Sequence, residues 1–151
     1  MRKPIVTLLT LTMLSLIALY AQIMPTRQIE EILAKLDSSR VSLRYDCTLQ
    51  QPAGLRLNGT LILQGNCYRA SGNGMEIYCD GKTRWTVDPE EKEVYIETSG
   101  GTKEILNGEN TLKSLSINDI KYIPLSNDLR DFRFDTSGLG SDWVVTDLRE
   151  E

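Results

Sequence analysis

Histidine is absent from the 151 residues. Its absence removes Ser-His-Asp and Cys-His catalysis, histidine-ligated zinc and any imidazole proton shuttle. Chemistry would have to rest on carboxylates, lysine, tyrosine or cysteine. The acidic residues to weigh are Asp80, Asp88, Glu90 and Glu91. It could suggest calcium binding or acid–base work. These acids belong, however, to the turn sequences Asp80-Gly81 and Asp88-Pro89-Glu90-Glu91, where short carboxylates hold turns and a solvated hairpin. The turn reading prevails, and the expectation is a chain that is not an enzyme and uses no cofactor and no metal. Asn58-Gly59-Thr60 is a glycosylation sequon, with meaning only in a eukaryotic secretory route. Lys and Arg number 17 against 21 Asp and Glu, a formal net charge of −4. Nucleic acid is therefore not an expected partner, since phosphate contacts need clustered basic residues.

Residues 1–21 are read apart from the fold. Arg2 and Lys3 open the chain, an acid-free apolar run extends from Ile5 to Ala21, and Leu19 and Ala21 stand at −3 and −1 of a cut before Gln22. Ala21 fits the small-residue rule, while Leu19 is larger than the pattern prefers. This reads as a secretory signal peptide, with an uncleaved membrane anchor as the alternative. Its removal takes two of the 17 basic residues and none of the 21 acids, leaving an acidic exported domain over 22–151. Export places Cys47, Cys67 and Cys79 where disulfides persist, and three is an odd number, so at least one thiol is unpaired within the chain.

The elements that would position these residues are one helix and a series of strands. Ile29, Ile32, Leu33 and Leu36 recur at helical spacing, Thr26 is a candidate N-cap, and Ser38-Ser39 ends the stripe. A single stripe on a short helix must dock on something larger. From Val41 the period is two: Val41, Leu43, Tyr45, Cys47 and Leu49 alternate with polar residues, and so do Leu55, Leu57, Gly59, Leu61 and Leu63. Gly59 predicts a bulge or bend. Strands follow at Cys67–Ala70, Glu76–Cys79, Thr83–Val87 and Lys92–Thr98, separated by turn signals at Gly65-Asn66, Ser71-Gly72-Asn73-Gly74, Asp80-Gly81 and Asp88–Glu91. Ile105, Leu112 and Leu115 suggest a short helix or lid, and Ile117–Leu125, Leu129–Asp135 and Trp143–Leu148 three further strands.

A three-residue loop centred on Asn73 would set Tyr68 opposite Tyr78 and Cys67 opposite Cys79. The tyrosines would then form a cross-strand pair that stabilises the sheet, or line a pocket. The cysteines would form a disulfide with some local adjustment, leaving Cys47 free, or else all three thiols are reduced apolar fillers.

The ordered set Gly65-Asn66-Cys67-Tyr68-Arg69-Ala70, Glu76-Ile77-Tyr78-Cys79-Asp80-Gly81-Lys82-Thr83-Arg84-Trp85, Asp88-Pro89 and Glu93-Val94-Tyr95-Ile96 resembles the LolA-like outer-membrane lipoprotein carrier family, in its short Bacteroides-type form. The resemblance covers roughly residues 22 to 115 and is tightest from 65 to 97. It implies an unclosed antiparallel β half-barrel, mainly β with one or two helices, and a helix on the concave face. It implies a monomeric periplasmic carrier that shields the acyl chains of lipoproteins or another lipid between an inner-membrane release complex and an outer-membrane acceptor. The implied acyl cavity comprises Leu43, Tyr45, Leu57, Leu61, Leu63, Tyr68, Tyr78 and Trp85, with the leading helix or a lid at Ile105, Leu112 and Leu115 as its plug. One departure stands out: the family's Arg-Pro pair is Gln64 and Gly65 here. The alternative is a non-catalytic interaction or sensing module whose cavity is permanently filled by its own side chains. N-terminal sequencing of the exported protein is expected to start at Gln22. A membrane-retained chain still beginning at Met1 means an anchor.

Overall fold

A computed structural model describes residues 26–50, 54–102 and 112–150. The expected signal peptide and Ile105 lie outside the described residues. Helix α1, Thr26–Lys35, ends where Ser38 donates from its backbone N–H and its hydroxyl to the Lys35 carbonyl, at 3.1 and 3.3 Å. Its buried stripe is narrower than the spacing predicts. Ile32 and Leu36 are buried and Ile29 is half-buried, but Leu33 is turned outward at 38% exposure. Among the described residues no helix is long and apolar enough to cross a membrane.

Eight strands follow: β1 Ser39–Leu49, β2 Arg56–Gln64, β3 Cys67–Gly72, β4 Met75–Cys79, β5 Thr83–Asp88, β6 Glu93–Thr98, β7 Leu112–Pro124 and β8 Val144–Asp147. They form one sheet in the order β7-β1-β2-β3-β4-β5-β6-β8. The sheet does not close, so β7 and β8 are its edges and the molecule is the expected half-barrel with a helix packed on it. Every pairing is antiparallel except β6 with β8, which is parallel. The chain reaches β8 by a long irregular segment, which a hairpin could not replace in a parallel pair. That segment corrects a second expectation. Leu129–Asp135 is not a strand but a 3-10 turn, Arg130–Phe132, continued by unpaired chain.

The turns behave as their residues dictate. The Asp80 carboxylate accepts from the backbone N–H of Lys82 and Thr83, and the Asp88 carboxylate from those of Glu90 and Glu91. The acids singled out as a candidate site are therefore turn acceptors at these two positions. Asn73 and Gly74 have φ of 54° and 78° and are the whole loop between β3 and β4, since Gly72 pairs with Met75. Two consecutive positive-φ residues match the twist of the flanking strands.

This loop is one residue shorter than the one expected from sequence, and the register moves with it. Tyr68 pairs with Cys79 and Arg69 with Tyr78. Tyr68 and Tyr78 are therefore not opposite each other, nor are Cys67 and Cys79. Because side chains alternate, a slip of one residue sends them to opposite faces. Cys47, Cys67 and Cys79 are all buried free thiols, so the Cys67–Cys79 disulfide is corrected.

Gly59 and Gly72 face each other across β2 and β3, in line with Tyr45 on β1. A Cβ on Gly59 would lie 1.8 Å from the Ser71 carbonyl oxygen, and one on Gly72 would lie 2.2 Å from that of Asn58. The sequence predicts a bulge or bend at Gly59; the structure has an uninterrupted register and a close backbone approach that only glycine permits. Gly72→Ala is expected to destabilise the fold by ~1–3 kcal/mol, as overpacking does. Chemical denaturation measures it, and an unchanged midpoint would contradict the close approach.

Candidate functional site

The two faces of the sheet carry separate apolar clusters. On the α1 face, Val41, Leu43, Leu61, Leu63, Tyr68, Ala70, Cys79 and Ile117 pack with Ile32 and Leu36. On the opposite face, Tyr78, Val87, Val94 and Ile96 pack with Trp85 and with Phe134, Leu139 and Trp143 from the chain between β7 and β8. The cause is visible strand by strand. The rows that cross β1 to β4 on the α1 face continue into Arg84 and Thr86 on β5 and Glu97 and Tyr95 on β6. The apolar residues of β5 and β6 occupy the other parity. Strand β4 lies where the two clusters meet and is apolar on both sides.

The candidate acyl residues divide accordingly. Leu43, Leu61, Leu63 and Tyr68 are buried on the α1 face, with Tyr45 and Leu57 half-buried on the same face. Tyr78 and Trp85 belong to the opposite cluster, so their place in one cavity with the leucines is corrected. The lid assignment is corrected too. Leu112 and Leu115 are strand residues of β7, paired with Leu49 and Cys47, and Leu115 packs against the α1-face cluster. Of the two expected plugs, α1 is the one that covers this face among the described residues.

The opposite face is covered by a strap, the chain from Leu125 to Trp143. Its anchor is Arg40, only 8% exposed. Arg40 donates to the Gln64 side-chain oxygen at 2.9 Å, to the Asp131 carboxylate at 2.9 Å and to the Asp128 carbonyl at 3.2 Å, and its guanidinium lies 4.9 Å from the centre of the Phe132 ring. Gln64 also donates to the Ser126 carbonyl at 2.7 Å and accepts from the Ser126 N–H at 3.2 Å. Further along, Arg133 pairs with Asp80 at 3.3 Å and Lys92 with Asp142. Gln64 therefore serves to fasten the strap. Sequence reasoning missed Arg40 because its partners lie 24 and 91 residues away.

Two open grooves, of about 430 and 510 Å³, lie at the β1–β2–β7 end of the sheet. Arg44, Asp46, Asn58, Thr60, Asn118 and Asp119 give the first a polar wall, and Arg56, Ser114 and Ser116 continue it into the second. Ion pairs Arg56–Asp46 at 2.9 Å and Arg44–Asp119 at 3.9 Å cross this surface. Such exposed pairs contribute little, and walls this polar, with only Tyr45 and Leu115 as larger apolar lining residues, offer an acyl chain little apolar contact. Among the described residues no group of three or more acidic, cysteine or histidine side chains could hold a metal ion.

Where the α1-face cluster ends, charge begins. Arg84 donates from Nε and Nη2 to a single Glu97 oxygen, at 3.2 and 2.9 Å. Burial pushes the Tyr68 phenol above its ordinary pKa, and hydrogen bonds to Arg84 and Ser99 pull it back in part. The pair was legible in sequence only as opposite charges spaced symmetrically about the turn closed by Asp88 and Glu93. On the other face burial first, and then the hydrogen bond to Glu76, push Tyr78 up to about 12. Its hydroxyl donates to Glu76 at 2.7 Å, and Arg69 stacks 4.7 Å from its ring centre.

No protein-family model matches the chain, and no curated protein matches it in sequence.

Tyr78 generates a pH prediction. An acid whose folded pKa exceeds its unfolded value supplies stability that is whole below the unfolded value and is lost above it. For Tyr78 the loss runs from about pH 10 upward toward 12. Tyr78→Phe should cost ~0.5–1.5 kcal/mol at neutral pH, the worth of a hydrogen bond, and should flatten the alkaline decline. Denaturation midpoints measured from pH 7 to 11 check this, and parallel declines in both proteins would refute it.

Proposed function

We propose that this chain is a non-catalytic periplasmic carrier that binds the acyl chains of lipoproteins or another lipid on the α1 face of its half-barrel, for transfer towards the outer membrane. The observation that carries the reading is a broad apolar sheet face covered by one ten-residue amphipathic helix. The ordered motifs that resemble the LolA-like carriers support it, as does an unclosed sheet. The acidic exported domain, its signal-peptide pattern and the carrier role belong together. An inner-membrane release complex and an outer-membrane acceptor would be its partners, and a monomer its working form.

Ligand entry requires α1 to lift, and the magnitudes permit it. Ile29, Ile32 and Leu36 hold α1 with ~1.5–3 kcal/mol each of apolar burial, while an acyl chain gains ~0.8 kcal/mol for every CH₂ it buries. One chain of about fifteen methylenes therefore offsets the loss of the helix contacts, before the entropy of ordering it. The polar grooves at the β1–β2–β7 end have no part in this.

A second reading has a specific observation in its favour. Val41, Leu63 and Ile32 are completely buried and Leu43 and Tyr68 nearly so, which suits a face permanently filled by its own helix and a role as an interaction or sensing module. The two readings differ over Ile32→Ala. Truncation should destabilise the apo protein by ~2–5 kcal/mol. A helix that competes with ligand lowers the apparent affinity, so weakening it should tighten binding of a fluorescent fatty-acyl probe. The carrier reading predicts saturable probe binding that is tighter in Ile32→Ala. It also predicts little change in tryptophan emission, because Trp85 and Trp143 lie in the other cluster. A folded wild-type protein that binds no probe supports the module instead. A large tryptophan shift on binding would place the ligand under the strap.

A further inference from the structure

The α1 face has a direction. Its row Val41–Leu63–Tyr68–Cys79 is continuous in register across β1 to β4, and none of the four is more than 1% exposed. The same row then passes to Arg84 on β5 and Glu97 on β6, whose side chains are 31% and 36% exposed. An ion pair so exposed adds at most ~1 kcal/mol to a sheet. Its placement at the end of a dry apolar row is what calls for a reason. Apolar sites for amphipathic ligands have this form, with a greasy length closed by a few oriented polar groups.

We infer that Arg84, with the Tyr68 hydroxyl beside it, binds the anionic head group of the lipid whose chain lies on the α1 face, and that Glu97 occupies this position when the site is empty. The inference rests on the acyl-binding reading and adds the ligand's head group to it. The shared chemistry is a carboxylate or a phosphate monoester. Arg84 is held on the interior strand β5 and is in hydrogen-bond contact with Tyr68, whereas Glu97 lies on β6, next to the sheet edge. Both Arg84 donors converge on one Glu97 oxygen instead of forming the two-oxygen fork of an unconstrained carboxylate pair. A ligand carboxylate or phosphate arriving along the row can adopt that fork and release Glu97 to solvent. The alternative polarity, a cationic head on Glu97, would have to free the more exposed partner from the better-held one.

The test is competition against a fluorescent acyl probe by palmitate, hexadecyl phosphate, methyl palmitate and hexadecylamine. It uses the wild-type protein, Arg84→Gln, Arg84→Lys and Glu97→Gln, with circular dichroism confirming the fold of each. Wild-type protein should bind palmitate at least tenfold more tightly than its methyl ester. Arg84→Gln should abolish that preference and leave the ester's affinity unchanged, while Arg84→Lys should retain part of it. Glu97→Gln should strengthen palmitate binding severalfold by removing the competitor. The preference shown by hexadecyl phosphate relative to palmitate separates phosphate from carboxylate heads, and either one above the ester supports the inference. Equal affinities for acid, phosphate and ester overturn it while leaving acyl binding intact. Preference for the amine overturns it in favour of Glu97. Failure of the probe and all four ligands to bind folded protein overturns the acyl reading and this inference together. If Arg84→Gln does not fold, the Arg84→Lys and Glu97→Gln shifts decide alone.

Discussion

Asn73 and Gly74 both carry positive φ, and they are all that separates β3 from β4. Only one register is compatible with so short a loop, and that register decides which face every side chain from β4 to β6 occupies relative to β3. With it, Ile77 and Cys79 join Tyr68, Ala70 and the leucines of β1 and β2 under α1. Tyr78, Trp85, Val87, Val94 and Ile96 are sent to the other side. One more residue in the loop would exchange these memberships and set charged Arg84 and Glu97 against the strap.

A sheet whose apolar face changes sides partway across needs two covers. The first half is covered from the N-terminal side of the chain by α1, which is tied to the sheet mainly by apolar contact, with one backbone bond from the Gly65 N–H to the Leu36 carbonyl at 2.9 Å. The second half is covered from the C-terminal side by the strap, and here the fastening is polar and redundant: Arg40, Gln64, Asp131 and Ser126 hold one end, and Asp80 with Arg133 the next. Phe132, wholly buried, lies under the Arg40 guanidinium. Arg40 is buried although Asp131 is exposed, and leaving a buried charge short of partners is more costly than parting an apolar contact that a ligand can replace. The difference assigns different duties to the two covers on the proposed carrier reading: the strap would complete the fold, and α1 would be the cover that a lipid exchanges.

Much of this was legible from residue types. Period-two alternation located β1 and β2, Gly, Asn, Asp and Pro marked the turns, and the helical stripe fixed α1. The faces were less legible, because Ser71-Gly72-Asn73-Gly74 admits more than one loop length and alternation repeats after every second residue. One residue of error there produced three wrong assignments at once: the Tyr68–Tyr78 pair, the Cys67–Cys79 disulfide and the inclusion of Trp85 and Tyr78 in the leucine cavity. The strap was missed for another reason. Leu129–Asp135 alternates as a strand does, yet Phe132 is buried and Phe134 half-buried by packing on a sheet face, with no ladder partner. Arg40 stands just ahead of the alternation that begins at Val41 and was not singled out, since nothing local distinguishes a solvated arginine from one whose partners arrive 91 residues later.

The central claim is that α1 is a cover that lipid replaces while the strap stays in place. Amide hydrogen exchange with and without saturating palmitate tests it most directly. The account predicts that amides of Ile29 to Leu36 lose protection on lipid binding, that those of β1 to β3 gain it, and that the strap around Phe132 is unchanged. Amides of α1 that remain as protected with lipid bound as without it would contradict the account.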